Sequence, residues 1–207
     1  MDAFEMLFSE YLVKEMQTDP AHDLLHIRRV VKSAKALCAQ EQACLDVVLP
    51  AAWLHDCLSL PKNHLQHTQS SRLAADKAIE YLAAIRYPQR YFEQIHHAIA
   101  AHSFSAKVEP QTIEAKIVQD ADRLDALGAI GIARCLQVGI SLNRPLYCQD
   151  DPFCELRAPD DHSYTLDHFY QKLLTLPELM QTTSAKAEAL KRLELMKLFL
   201  GQLVDEI

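Results

Sequence analysis

Glycine is nearly absent, four residues in 207, and alternating runs of β-branched residues are few. Both shortages speak against a sheet protein, whose short alternating strands need glycine-bearing turns between them. A basic surplus is missing as well. The formal net charge of −7 excludes the broad cationic surface that captures a nucleic-acid polymer, and leaves room for a small anionic substrate neutralised by a metal or a few local cations. The six cysteines (Cys38, Cys44, Cys57, Cys135, Cys148, Cys154) form no CxxC pair, and "MDAFEMLFSEYL" lacks the basic start and small-residue cleavage site of a signal peptide. Reduced thiols in a cytoplasmic protein are expected. No uninterrupted apolar run reaches the roughly 18 to 20 residues of a membrane span. Asp46, Pro50 and His55 interrupt the best candidate, so no membrane partner is expected.

What is present is helical period, with apolar residues returning three and four positions apart. The fold class expected is all-α, and 49% hydrophobic content over 207 residues is enough to bury one substantial core. Phe4, Leu7, Phe8, Tyr11 and Leu12 form one face of a first helix that ends near Pro20. A second runs from about His22 to Gln40 with Leu25, Val30, Ala34 and Leu37 inward. Pro50 suits the early turn of a third, which carries His55 and Asp56. Ser70 or Ser71 would cap the next helix, and Pro88 opens another. The longest periodic segment is "TIEAKIVQDADRLDALGAIGIARCLQVGISL". Residues 146–164 lose the pattern and read as a loop or lid, and residues 165–207 return to helix, with Leu190, Leu193, Met196, Leu200 and Leu203 on one side of the last element.

Three of these segments place polar groups where a core is expected. "LHD" sets His55 beside Asp56 at the end of an apolar run. "HDLLH" sets His22 and His26 on one helix face, with Asp23 able to orient His26. "QDADRLD" puts Asp120, Asp122 and Asp125 among small apolar residues. Carboxylates there would suffer a desolvation penalty large enough to demand a cationic partner. A divalent metal meets that demand, and a set of two imidazoles and two carboxylates suits Mn²⁺, Fe²⁺, Co²⁺, Ni²⁺ or Zn²⁺ better than a thiolate-loving ion. Such an ion lowers the pKa of bound water and polarises a phosphoryl oxygen, which is hydrolase chemistry.

His26, the doublet His55-Asp56 and Asp122 resemble the H…HD…D signature of the HD-domain metal-dependent phosphohydrolases. "HDLLHIRRV", "LHDCLSLPKNH", "SSRLAA", "HAIAAHSFSA", "EAKIVQDADRLDALGAIGIAR", "DDPF" and "LDHFYQKLLTLP", in this order, further resemble the bacterial YedJ-like branch over residues 20–180. The resemblance implies a single HD-type domain over 1–207, its core spanning about 20–145, with one divalent ion (Mn, Fe, Co, Ni, Mg or Zn) between central helices at His26, His55, Asp56 and Asp122. It also implies hydrolysis of a nucleotide or similar small phosphate, with nucleoside triphosphate cleavage to monophosphate and pyrophosphate favoured. The alternatives are a nucleoside monophosphate phosphatase and a catalytically silent nucleotide or metal sensor.

The chain departs from better-understood relatives in lacking an acid shortly after the doublet, where Cys57, Leu58, Ser59 and Leu60 stand. Either metal-activated water attacks unaided, or Asp23, Asp120 or Asp125 substitutes, or His97 or His102 protonates the leaving group. Lys62 and Arg123 are the candidates for substrate phosphate, ahead of Arg72 and Lys172. Cys57 points about 100° away from Asp56 around a helix and reads as core. A homodimer through the first or last helix is compatible with the sequence.

Overall fold

The computed structural model describes residues 3–15, 24–60, 64 and 66–207, with His67 described by its backbone alone. The described residues form helices and turns and no strand, so the protein is all-α as expected. No single helix among them is long and apolar enough to cross a membrane. The chain divides into two compact units, Met1–Asp122 and Arg123–Ile207.

In the first unit, α1 (Ala3–Glu15) buries Phe8 and Leu12. Helix α2 (Leu24–Gln40) buries Ile27, Val30, Val31, Ala34 and Leu37. Leu25, expected inward, is 59% exposed, because five residues separate it from Val30 and turn it about 140° from that face. Helix α3 (Leu45–Leu54) is buried throughout from Val47 to Leu54, against α1 and α2 and against the later α5 (Phe92–His102). Pro50 lies in the middle of α3 and not in its first turn. Its nitrogen carries no hydrogen, so the Asp46 carbonyl one turn earlier lacks a helical donor. The Tyr87 hydroxyl supplies one at 2.7 Å, which is how a mid-helix proline is tolerated here. Because α3 ends at Leu54, His55 and Asp56 stand in the turn beyond it and not within a helix.

Helix α4 (Ser70–Ala84) follows a 3-10 turn at His67–Gln69. Ser70 and Ser71, expected as caps, are its first helical residues and serve as ties. Ser70 Oγ accepts the Leu60 N–H at 3.0 Å, and the Ser71 hydroxyl donates to the Ala100 carbonyl at 2.9 Å. Pro88 precedes a 3-10 turn (Gln89–Tyr91) that leads into α5. Helix α6 (Ile113–Leu124) turns Ile117, Val118 and Ala121 into the core.

The expected long helix breaks after Leu124, and α7 (Gly128–Ser141) begins beyond residues 125–127. Gly128 starts α7 with φ of +71°, a left-handed conformation that a residue with a Cβ resists. A Cβ on Gly131 would lie 2.2 Å from the Ala126 carbonyl oxygen, so the chain can fold back over the break only with glycine there. Asp125, expected inside a helix, lies in this break and pairs with Arg134 at 2.7 Å.

Residues 142–166 carry no helix, yet they are closely tied. The Asp151 carboxylate accepts the N–H groups of Glu155, Leu156 and Arg157 at 2.9–3.1 Å, and Arg157 grips the fully buried carboxylate of Asp167 through both terminal nitrogens. Helix α8 (Asp167–Gln171), a 3-10 stretch (Leu173–Leu179) and α9 (Thr183–Glu206) complete this unit. Helix α9 buries Ala185, Ala189, Leu193, Met196 and Leu200, whereas Leu190, expected on that face, is 47% exposed.

Candidate metal centre

Four segments of the first unit converge on one small space. The buried face of α2 delivers His26, the turn after α3 delivers His55 and Asp56, the last residue of α5 is His102, and α6 delivers Asp122. His26 Nε2 lies 3.4 Å from Asp122 Oδ1 and 3.9 Å from Asp56 Oδ2. His55 Nε2 lies 3.6 Å from Asp56 Oδ2 and 3.9 Å from Asp122 Oδ1. On the far side of Asp56, His102 Nε2 is 3.5 Å from Oδ1. Ligand atoms of His26, His55 and Asp56 all fall within 4.8 Å of one another. Two atoms each about 2.1 Å from a shared ion sit about 3 to 3.5 Å apart, so these gaps, long for hydrogen bonds, are near the spacing of donors that share a cation.

The helix ends set the tautomers. The last carbonyls of a helix lack intrahelical partners, and each of these histidines uses one three residues back. Nδ1 of His55 lies 2.9 Å from the Ala52 carbonyl oxygen, and Nδ1 of His102 lies 2.6 Å from that of Ile99. A carbonyl only accepts, so Nδ1 carries the hydrogen in both rings. In neutral His55 the lone pair is therefore on Nε2, which is buried and makes no hydrogen bond. Burying a polar atom without a partner is costly, and a cation in this space satisfies it.

Electrostatics separates the groups. Burial holds the His55 pKa below the ordinary imidazole value, against the pull of Asp56 and Asp122, so the ring is neutral at pH 7. Burial also pushes His102 down, but the Asp56 carboxylate 3.5 Å away and the charge of Asp122 outweigh it, and its pKa is raised. For Asp122, burial acts upward and is overcome by the neighbouring imidazoles, His26 at 3.4 Å first and then His55 and His102, which hold the carboxyl well below its usual range. Two imidazole nitrogens and two carboxylates make a donor set that fits a borderline divalent cation.

His26, His55, Asp56, Asp122 and His102 are thus gathered together. His97 is not. It lies five residues before His102, about 140° around α5, and its Nε2 accepts the Gln111 N–H at 3.0 Å. Asp120 is fully buried but sits about 160° around α6 from Asp122. Asp125 is engaged with Arg134, and the Arg123 guanidinium donates to the Leu179 carbonyl, both within the second unit. Asp23, His22 and Lys62 lie outside the described residues. Cys57 packs as expected, its thiol against the Ala74 carbonyl and its pKa pushed up to about 12 by burial. In the sequence His102 stands with His97 as an alternative proton donor, and nothing there ties it to the four candidate ligands. A usable signal was its place at the end of an apolar helix, the same place His55 has.

The family model described as HD domain matches residues 24–127, which include all five clustered residues. The chain belongs to the HD-domain family. It is similar to the uncharacterized protein YpgQ of Bacillus subtilis, 31% identical over 201 residues, covering 94% of this chain and 90% of YpgQ. A crystal structure of B. subtilis YpgQ in complex with ADP aligns over 97% of each chain with a TM-score of 0.75 and 31% identity. An HD-superfamily hydrolase from Bacillus thuringiensis aligns over 98% of this chain and 94% of its own, with a TM-score of 0.75 and 33% identity.

Proposed function

We propose that this HD-superfamily metal-dependent phosphohydrolase cleaves a nucleoside triphosphate to the monophosphate and pyrophosphate, with His26, His55, Asp56 and Asp122 holding one divalent ion. The observation that carries the reading is the buried, unpartnered Nε2 of His55 facing the carboxylates of Asp56 and Asp122. The ion, when bound, supplies Lewis acidity that activates water and polarises a phosphoryl oxygen. Neutral His55 offers its lone pair without first losing a proton, and Asp122 is ionised at any pH near neutrality. Asp56 divides its two oxygens, Oδ2 toward His26 and His55 and Oδ1 toward His102. His102, its pKa raised beside Asp56 and its Nδ1 tied to the Ile99 carbonyl, is the group assigned to pass a proton to the departing phosphate oxygen, the task that no acid after the doublet fills. The ADP in the YpgQ structure supports a nucleotide as ligand, and the net charge of −7 favours a small anion over a polymer.

The test is a product-resolved assay on metal-stripped protein given nucleoside tri-, di- or monophosphates, with Mn²⁺, Co²⁺, Ni²⁺ or Mg²⁺ re-added singly, alongside Asp122→Ala. Pyrophosphate release that requires both the ion and Asp122 is expected. Inorganic phosphate released from monophosphates under the same control would replace this reading with a monoesterase, and stoichiometric metal binding without turnover would replace it with a sensor.

A further inference from the structure

A recess of about 350 Å³ opens in the first unit between the start of α4 and the 3-10 turn that follows α5. Its polar side chains are those of Thr68, Gln69, Arg72, Ser105 and Lys107: hydroxyls, an amide and two cations, with no carboxylate, in a chain of net charge −7. Neither Arg72 nor Lys107 is ion-paired among the described residues. Asp76, one turn along α4 from Arg72, is taken by His96 at 2.9 Å. Lys107 adopts φ of +52°, a left-handed backbone that lysine seldom holds, at the close of the turn Phe104–Ala106.

Both walls of the recess continue from the clustered residues. Ser105 is three residues beyond His102, so their Cα atoms are at most about 11 Å apart. On the other wall, Ser70 at the head of α4 holds the backbone of Leu60, four residues past Asp56. The N-terminal turn of α4 adds a dipole that favours negative charge.

We propose that this recess is the subsite for the phosphate chain of the substrate, in which Arg72 and Lys107 neutralise the oxyanions beyond the phosphorus under attack and the hydroxyls of Thr68 and Ser105 complete their hydrogen bonding; the assignment rests on the triphosphate reading above. Arg72 supplies a planar fork suited to two oxygens at once, and Lys107 a point charge. The ligand class is a linear polyphosphate carried by a nucleoside, and the pyrophosphate product occupies the same recess.

The experiment pairs kinetics with direct binding. Metal-loaded wild type, Arg72→Ala, Lys107→Ala and the double variant are assayed on a nucleoside triphosphate, and inorganic tripolyphosphate is titrated calorimetrically into the same four proteins stripped of metal. Both side chains are exposed, so unchanged melting points will show intact folds. Each single variant is expected to lower kcat/KM about tenfold, and the double variant to lose the tripolyphosphate signal. Unchanged kcat/KM and unchanged tripolyphosphate binding would overturn the subsite while leaving triphosphate hydrolysis standing. Tripolyphosphate binding that the double variant abolishes, in a wild type without triphosphate turnover, would sink the hydrolase reading and keep the anion site.

Discussion

Replacing Asp122 by asparagine keeps the outline of the side chain and removes its charge, which isolates its part in holding an ion. Its Oδ1 is 3.4 Å from His26 Nε2 and 3.9 Å from His55 Nε2, and the residue is 30% exposed, so the change neither opens a cavity nor buries a clash. An ion supplied at 100 times its Kd stabilises the fold by about 2.7 kcal/mol. For a chain of this length each kcal/mol moves Tm by about 2–4 °C, so wild type should gain about 5–10 °C. Loss of the carboxylate charge should weaken affinity by about 100-fold, the upper end of what even an outer hydrogen-bond partner of a ligand is worth. The same ion concentration then stabilises by about 0.4 kcal/mol, a shift of about 1–2 °C. Trp53 is the chain's only tryptophan, buried two residues before His55, so its fluorescence during a thermal melt follows the unit that contains the cluster. Equal metal-dependent shifts in wild type and Asp122→Asn would refute Asp122 as a ligand, and no shift in wild type would refute the cage.

In the metal-free protein, NMR titration of the imidazole rings should place the His55 midpoint below the ordinary value of about 6.5 and that of His102 above it. Folding refuses a proton at His55, which costs stability as pH falls below about 6.5. The His102 contribution is full below about 6.5 and is lost as pH rises through its folded pKa, so the signs oppose and ring shifts, not melting points, separate them. The reverse order of midpoints would contradict the full burial of His55 and the pairing of His102 with Asp56. Tyr87→Phe should cost about 1–3 kcal/mol, read as a lower urea midpoint at constant m, because the Asp46 carbonyl freed by Pro50 loses its donor. Gly131→Ala should destabilise by about 1–3 kcal/mol, since its methyl meets the Ala126 carbonyl. Gly201→Ala in α9, with open space around the new Cβ, should stabilise by about 0.5–1 kcal/mol. Cys57, 2% exposed with a pKa of about 12, should resist iodoacetamide in the native protein and react after unfolding.

Helix identity was legible wherever apolar spacing was local, as in α1, α2, α5 and α9, and the boundaries went astray where a tertiary partner intervened. Pro50 reads as a helix opener until Tyr87, distant in sequence, is seen to serve the carbonyl it leaves open. Ser70 and Ser71 read as caps until Leu60 and Ala100 claim their hydroxyls. The periodic run through residue 140 concealed its break, because Gly128 and Gly131 are ordinary small residues to a periodicity and become obligatory only when the chain folds back on Ala126. The candidate cage was legible to the extent that polar residues in apolar segments are conspicuous: that ground marked His22, His26, His55, Asp56, Asp120, Asp122 and Asp125 together, and only the resemblance to the H…HD…D signature narrowed them to His26, His55, Asp56 and Asp122.

The sequence by itself determined the helical class, the net negative charge and the polar residues set in apolar segments from which the candidate ligands come, since composition, charge and helical period are properties of neighbours along the chain. Only the tertiary structure decided that His102 joins them and His97 does not, that the lone pair of His55 points inward, and that Arg72 and Lys107 share one recess. Those outcomes depend on how the end of α3 meets the end of α5, and on which carbonyl each imidazole finds there. Packing between segments tens of residues apart sets both, and no local periodicity encodes them.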